Sequence, residues 1–305
     1  MTGRIAVIGS NMVDLITYVT RMPAKGETIE APTFEMGCGC KGANQAVAAA
    51  KLGADVLMVT KVGDDMFGEN TIRYFASFGI DARHVSKVQG KSSGVAPIMV
   101  EPSGENSILI VKGANADLLP ADIERAAEDL KTCELILLQL EIPLETVYAA
   151  IEFGKRHGIK TLLNPAPATR ELDLKRILHV TFFMPNETEL ALLTQRPVGA
   201  VAEIEAAARS LIARGIGAVI VTMGERGALL VTEREATSIE PVKVTPVDTT
   251  GAGDAFIGSF ARYYVETGDV KASLSKAARY AADSVTRRGT QKAYATSEMF
   301  KASLL

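Results

Sequence analysis

The sequence predicts a doubly wound α/β protein, with a mostly parallel sheet flanked by helices and a small β-sheet lid. Two observations lead there. From about residue 135 onward, short apolar runs alternate with helical stretches of about a dozen residues, the rhythm of βαβ units that cover a parallel sheet on both faces. The first third breaks that rhythm with short, turn-bounded runs that suit a separate small sheet.

Ile5–Ile8 reads as a buried strand ended by Gly9 and Ser10. Thr28 to Met36 contains Glu30, Pro32 and Glu35 and suits an edge strand, because proline has no N–H to give an inner ladder. Ala43–Leu52 is an alanine-rich helix with Gly53 placed to close it. Asp55–Val62 is a second buried strand. Val95–Val100 and Ser107–Val111 flank a Pro-Ser-Gly-Glu-Asn turn and read as a hairpin. Residues 12–40 and 94–112 are therefore assigned to the lid of a single domain spanning 1–305. The body continues with strands over Leu135–Leu140, Thr161–Leu163, Thr181–Met184 and Ala218–Thr222 and with helices over Leu144–His157 and Ile204–Arg214. Two long helices, Ala252–Thr267 and Lys271–Val285, finish the chain.

At 305 residues the chain can bury a large core. A net charge of −3 with scattered basic residues leaves no electrostatic footprint for nucleic acid. The first apolar run is too short for a signal peptide or a membrane span, so the expectation is a cytoplasmic protein. Cys38, Cys40 and Cys133 are odd in number and lack a paired framework, and Cys38-x-Cys40 lacks the second half of a zinc site; reduced, structural thiols are expected.

Two glycine-rich turns compete as the phosphate site. Gly37-Cys38-Gly39-Cys40-Lys41-Gly42 matches G-x-G-x-x-G, enters a helix and precedes Asp64, as a dinucleotide turn would. The polar run before it is a poor buried strand, however, and Lys41 and Asn44 are groups that a pyrophosphate turn does not require. The second turn, Val247-Asp248-Thr249-Thr250-Gly251-Ala252-Gly253-Asp254-Ala255-Phe256, joins a strand to a long helix. Its small residues allow close backbone approach, and first-turn N–H groups face outward toward an anion. Asp254 alone could be a dipole-stabilising acid of the helix start.

These strings resemble the ribokinase family, also called the PfkB sugar kinases, over nearly the whole chain. Asp248–Phe256 is similar to the family's C-terminal signature, and Gly39-Cys40-Lys41-Gly42-Ala43-Asn44-Gln45 to its N-terminal one, usually G-G-K-G-A-N-Q. Gly9-Ser10 with Asp14, Asn186-Glu187-Thr188-Glu189, Thr222–Gly227 and Ser284–Gly289 fall in family order. No G-x-x-x-x-G-K-[ST] occurs, so this is not a P-loop enzyme.

The resemblance implies an ATP-dependent sugar kinase of ribokinase-like fold. It makes Asp254 the catalytic base, with the N–H groups of Gly251, Ala252, Gly253 and Asp254 as the anion hole. That suits phosphoryl transfer, which needs positioning, charge stabilisation and a base near the nucleophile. It assigns ATP to Asn186, Thr222, Gly224, Glu225, Arg226, Gly227 and Gly253. It assigns Mg2+, through water, to Glu189. It implies a K+ site from Asp248, Thr250, Ser284, Arg287 and Gly289, mostly through carbonyls. Ala293 stands where the family has a serine, so weakened potassium activation is expected.

For the sugar, the resemblance points to Met12, Asp14, Gly39, Lys41, Gly42, Asn44, Glu141 and Asp254. Ribokinases read Asn-x-Asp where this chain has Met12-Val13-Asp14, and that asparagine binds the ribose 2-hydroxyl. In an extended segment residues 12 and 14 share a face and Asn11 points away. A thioether packs well against a methylene and offers little to a hydroxyl, which favours 2-deoxyribose as acceptor at its 5-hydroxyl, with ribose poorer. A ribokinase proper, another sugar or nucleoside kinase of the family, a Rossmann-type NAD oxidoreductase and a non-catalytic sugar sensor are the rival readings. Family lids pair as a β-clasp, so a homodimer is expected.

Overall fold

The computed structural model describes residues 3–103 and 105–303. β1 (Arg4–Ile8) lies inside a nine-stranded sheet, and Ile5, Ala6, Val7 and Ile8 are fully buried. A strand covered on both faces shows no polar side, which is why it reads as an unbroken apolar run. The chain leaves for the lid through β2 (Met12–Tyr18) and β3 (Thr33–Gly39), returns in α1 (Lys41–Lys51), and adds β4 (Asp55–Gly63), α2 (Met66–Ser77) and β5 (Asp81–Val88). A second excursion builds β6 (Val95–Val100) and β7 (Asn106–Ile108). The body resumes with α3 (Pro120–Arg125), α4 (Ala127–Leu130), β8 (Leu135–Leu138), α5 (Leu144–His157), β9 (Lys160–Leu163) and β10 (Phe182–Phe183). It ends with α6 (Glu187–Thr194), α7 (Val201–Ile212), β11 (Ala218–Thr222), β12 (Ala228–Val231), β13 (Ala236–Ile239), α8 (Ala252–Thr267), α9 (Val270–Ser284) and α10 (Ser297–Ser303).

The large sheet has the order β13-β12-β11-β10-β9-β8-β1-β4-β5. β11 through β5 run parallel, and β12 and β13 close one side antiparallel. Two cores cover its faces. Ile5 and Val7 pack with residues of α1, α8 and α9, while Ala6 and Ile8 pack with residues of α3, α5 and α7. The strand order reverses at β1, between β8 and β4, so the crevice beyond the C-terminal ends of β1 and β8 is where such a sheet receives ligands. β3-β2-β6-β7 forms the separate four-stranded sheet.

Several boundaries move from their sequence expectations. The strand looked for over Thr28–Met36 is Thr33–Gly39, an edge strand that begins after Pro32. β8 stops at Leu138, so Gln139 and Leu140 lie just beyond the strand, both still buried. The second hairpin arm ends at Ile108, although Val95 and Val111 still exchange backbone hydrogen bonds at 3.0 Å. A short helix, α10, follows the two long ones. α2 and β5 escaped the periodicity because their exposed faces dominate the sequence; α2 is marked by Asp65, whose side chain caps Gly68 N–H at 2.8 Å.

α1 and α8 cross closely enough to fix the site. A Cβ on Gly258 would lie 2.5 Å from the Gln45 carbonyl and 2.7 Å from Ala48 Cβ. One turn before Gly258, Asp254 is thereby set against Asn44 and Gln45 of α1.

Candidate active site

Gly251 caps α8 in the left-handed conformation (φ 75°), and a Cβ there would fall 2.2 Å from Thr290 Cγ2 and 2.7 Å from the Tyr294 hydroxyl. Tyr294 donates its hydroxyl to the Gly251 carbonyl at 2.9 Å and pins the turn from behind. Ala252 N–H bends back to the Thr249 carbonyl at 3.2 Å, inside the turn. The N–H groups of Gly253 and Asp254, in the first turn, have no acceptor within the helix, and the helix dipole adds positive potential there. They face a cleft of about 220 Å³ that Lys41, Asn186, Glu189 and Thr222 also line.

Asp254 is 7% exposed, and both its oxygens are held by amides: Asn44 Nδ2 donates to Oδ2 at 2.9 Å and Gln45 Nε2 to Oδ1 at 3.0 Å. Burial pushes its carboxyl above the usual range, against the pull of Lys41 and the two amide donors. Burial alone would lower Lys41, but the carboxylates of Asp254, Glu141 and Glu189 around it outweigh that and raise it. A carboxylate with raised proton affinity beside an ammonium and open helix N–H groups can accept a proton while an anion is held a few ångströms away.

The other half of the crevice lies beyond β1 and β8. Glu141 Oε2 accepts the Ser10 hydroxyl at 2.6 Å and Lys41 N–H at 2.9 Å, tying the end of β1 to the start of α1. A Cβ on Gly42 would lie 2.6 Å from Ser10 N and O, so only glycine lets these segments meet. Asp14 is pushed up to about 6 by burial and by Glu141. Gly39 faces it across the β2–β3 pair, where a Cβ would strike its carboxylate at 2.2 Å. Met12, 2% exposed, pairs with that same Gly39 and so shares the Asp14 face. Asn11 is committed elsewhere, donating through Nδ2 to Thr60 Oγ1 at 2.8 Å and to the Lys61 carbonyl at 2.7 Å. Between lid and helix, Cys40 adopts φ 78° and ψ 150°, a region that costs a non-glycine residue about 1–3 kcal/mol.

On the opposite side, Asn186 and Glu189 make a reciprocal cap. Asn186 Oδ1 accepts Glu189 N–H at 2.8 Å, and Glu189 Oε2 accepts Asn186 N–H at 2.8 Å. Burial raises the Glu189 carboxyl, Asp254 adds to this, and Asn186 N–H and Lys41 oppose it. Thr222 reaches the cleft, whereas Gly224, Glu225, Arg226 and Gly227 form the turn beside it and do not line it. Gly227 (φ 81°) leaves room for the Ile239 carbonyl, and Arg226 pairs with Glu187. Below the cleft, Asp248 accepts the N–H groups of Thr250 and Gly289, both at 2.9 Å. Ser284 gives its hydroxyl hydrogen to the Ala281 carbonyl, and the Arg287 guanidinium turns to Asp283 and the Ala293 carbonyl, which leaves Arg287 only its carbonyl to offer a cation.

Gln139, Asn164 and Gln291 were not singled out by sequence reasoning. A glutamine interrupting the apolar run Leu137-Leu138-Gln139-Leu140 was the available signal for the first. Ser10 and Gln45 lie inside the quoted strings, but nothing local revealed what they bond.

A profile of the pfkB family carbohydrate kinases matches residues 2–297. The chain is 62% identical to a deoxyribokinase of Salmonella typhi across 97% of both chains. It is 41% identical to a ribokinase of Schizosaccharomyces pombe over 93% of this chain and 92% of that one. Among solved structures it resembles an Arabidopsis thaliana ribokinase complexed with ribose and ATP, with a TM-score of 0.94 and 30% identity over 100% of this chain and 99% of that one. β3, which precedes the Gly37–Gly42 turn, is the antiparallel edge of the small sheet and not a parallel inner strand, so the dinucleotide reading falls. With its match spanning almost every residue, the chain belongs to the pfkB family of carbohydrate kinases.

Proposed function

We propose that this kinase transfers the γ-phosphate of ATP to the 5-hydroxyl of 2-deoxy-D-ribose, and uses D-ribose less well. The observation that carries the choice of sugar is Met12, an apolar side chain on the Asp14 face of the lid while Asn11 is bonded elsewhere. The 62% identity to a deoxyribokinase supports the same choice. An apolar contact suits the C2 methylene and leaves a 2-hydroxyl unpaired, a discrimination of about 10²-fold at most.

In this reading Asp14, Glu141, Lys41 and Asn44 hold the sugar under the lid, with Gly39 and Gly42 making room for them. Asp254 takes the proton of the 5-hydroxyl as its oxygen bonds to the γ-phosphorus and ADP departs. Gly253 and Asp254 N–H groups, with Lys41, stabilise the charge of the transferring group. Asn186, Thr222 and the Gly224–Gly227 turn hold the nucleotide.

Among the described residues no group of three or more His, Cys, Asp or Glu could hold a metal by itself. Glu189 fits magnesium as that ion is usually held, by one or two carboxylates together with phosphate oxygens and waters. When bound, magnesium neutralises charge on the phosphates. Asp248 with the carbonyls of Thr250, Ser284, Arg287 and Gly289 fits potassium, and Ala293 withholds the hydroxyl that would complete the set.

With purified protein, ATP and magnesium, kcat/KM for 2-deoxyribose should exceed that for ribose by about tenfold to 10²-fold. Equal values, or a preference for ribose, would sink the reading. Replacing potassium by tetramethylammonium in the same assay should lower the rate only modestly, and a complete loss would mean that Ala293 weakens nothing. Phe34 and Met36, 55% and 52% exposed, lie on the lid face opposite Asp14 and suit a second copy of the chain. Phe34→Asp should sediment as a monomer where the parent is a dimer, and a monomeric parent removes the dimer.

A further inference from the structure

We propose that Gln139 and Gln291 are positioning residues that fix which end of the Asn44 and Gln45 amides meets Asp254. The inference rests on Asp254 being the base. An ionised carboxylate only accepts hydrogen bonds, so both amides touching it must present their NH2 groups. Their oxygens must then point outward, and each meets a buried glutamine. Gln139 Nε2 donates to Gln45 Oε1 at 2.6 Å, and Gln291 Nε2 donates to Asn44 Oδ1 at 2.8 Å. Two converging chains result, from Gln139 through Gln45 and from Gln291 through Asn44, and every donor in them points toward Asp254.

The far ends of both chains carry the mark of that imposed direction. Gln139 is fully buried and Gln291 is 3% exposed, yet the Oε1 atom of each finds no donor among the described residues. Unpaired buried acceptors are uncommon because each forfeits its hydration. Turning either glutamine over would set oxygen against oxygen at the inner amide. Gln139 Oε1 rests over Gly9, where a Cβ would fall 2.2 Å away. Each outer residue is anchored: Gln139 directly follows β8, and the Gln291 carbonyl accepts Lys51 Nζ at 2.7 Å. Asn164 gives Gln45 a weaker second guide, accepting Nε2 at 3.4 Å while its own NH2 is held by the Met184 carbonyl at 2.9 Å. The Gln291 arm has no such support in the described contacts.

Removing an outer donor frees the inner amide to rotate, and an amide that turns its oxygen inward bonds only the protonated acid. The base then loses a donor that lowers its proton affinity. The other charged or titratable groups acting on Asp254 or on the cleft around it are Lys41 of α1, Glu141 after β8, Glu189 of α6 and Tyr294 of the C-terminal segment; none of them changes. A base works deprotonated, so a raised proton affinity moves the acid limb of the kcat profile to higher pH and deepens the loss as pH falls.

The test is kcat and KM from pH 5.5 to 9 for Gln139→Met and Gln291→Met, with Asp254→Asn in parallel. A lost hydrogen bond to a charged group corresponds to about tenfold to a hundredfold. We expect kcat to fall by about tenfold at pH 8.5 and further at pH 6, with KM for ATP unchanged and the larger effect in Gln291→Met. Wild-type kcat and an unmoved acid limb in the variant that folds overturn the proposal, as does a loss equal at every pH. Transfer retained by Asp254→Asn would overturn the base itself. An inactive Asp254→Asn beside normal Gln139→Met and Gln291→Met overturns only the positioning role.

Discussion

Asp254→Asn should lower kcat by about 10³-fold, near the middle of the range for losing a general base, with ATP binding intact. The amide keeps the shape of the carboxylate but takes no proton from the sugar hydroxyl. In the proposed binding mode ATP keeps its contacts, because the N–H groups at the start of α8 belong to the backbone, and Asn186 and Thr222 line the cleft from other elements. Stability carries two opposed effects. Burial makes Asp254 hold its proton more tightly folded than unfolded, so its ionised form burdens the fold at every pH above both values, whereas an asparagine there sets an NH2 against one of the two amide donors. Single-turnover phosphoryl transfer and nucleotide titration read the two arms. Retention of a tenth or more of kcat would end the case for Asp254 as base.

Met12→Asn should swing selectivity from 2-deoxyribose toward ribose by about 10²-fold or more in the ratio of kcat/KM values. Two effects add. The new amide can bond a 2-hydroxyl that the thioether could not, and with 2-deoxyribose bound it is left buried and unpaired, which costs about 1–3 kcal/mol. The site is nearly closed to solvent, since Met12 is 2% exposed and its Cγ lies 2.9 Å from where a Cβ on Gly94 would stand. Gly94 must therefore be left as it is. An unchanged ratio in a folded variant would place Met12 away from the sugar's 2-position.

The parts of the fold legible in the sequence were those with one dominant period. β1, α5, β11 and α8 are buried runs or amphipathic helices with clear ends, and their observed limits lie within a residue of those read from the chain. β5 was missed because it is an edge strand carrying Arg83, His84 and Lys87, and β12 and β13 because they form an antiparallel pair with no helix between them, outside the strand–helix alternation. The site divides in the same way. Groups carried by contiguous strings, such as Lys41 to Gln45 and Gly251 to Asp254, could be named from the sequence. Gln139 and Gln291 could not, since an amide's role depends on what the fold places against it. Cys40 shows the limit most clearly: its spacing read as a structural thiol, and the glycine usual at that place in the family signature gained its meaning only from the backbone, where the side chain sits at a dihedral pair suited to glycine.

The reach of Gln291 back to Asn44 also couples the C-terminal segment to the first helix of the chain. Lys51 grips the carbonyls of Gln291 and Tyr294 at 2.7 and 2.8 Å, so the end of α1 and the C-terminal segment dock as a unit. Without residues beyond 290, α8 would lack the Tyr294 hydroxyl behind its first turn and Asn44 would lack its guide. Loosening that one segment therefore disturbs the starts of α8 and α1 together, although neither helix is its neighbour in the sequence.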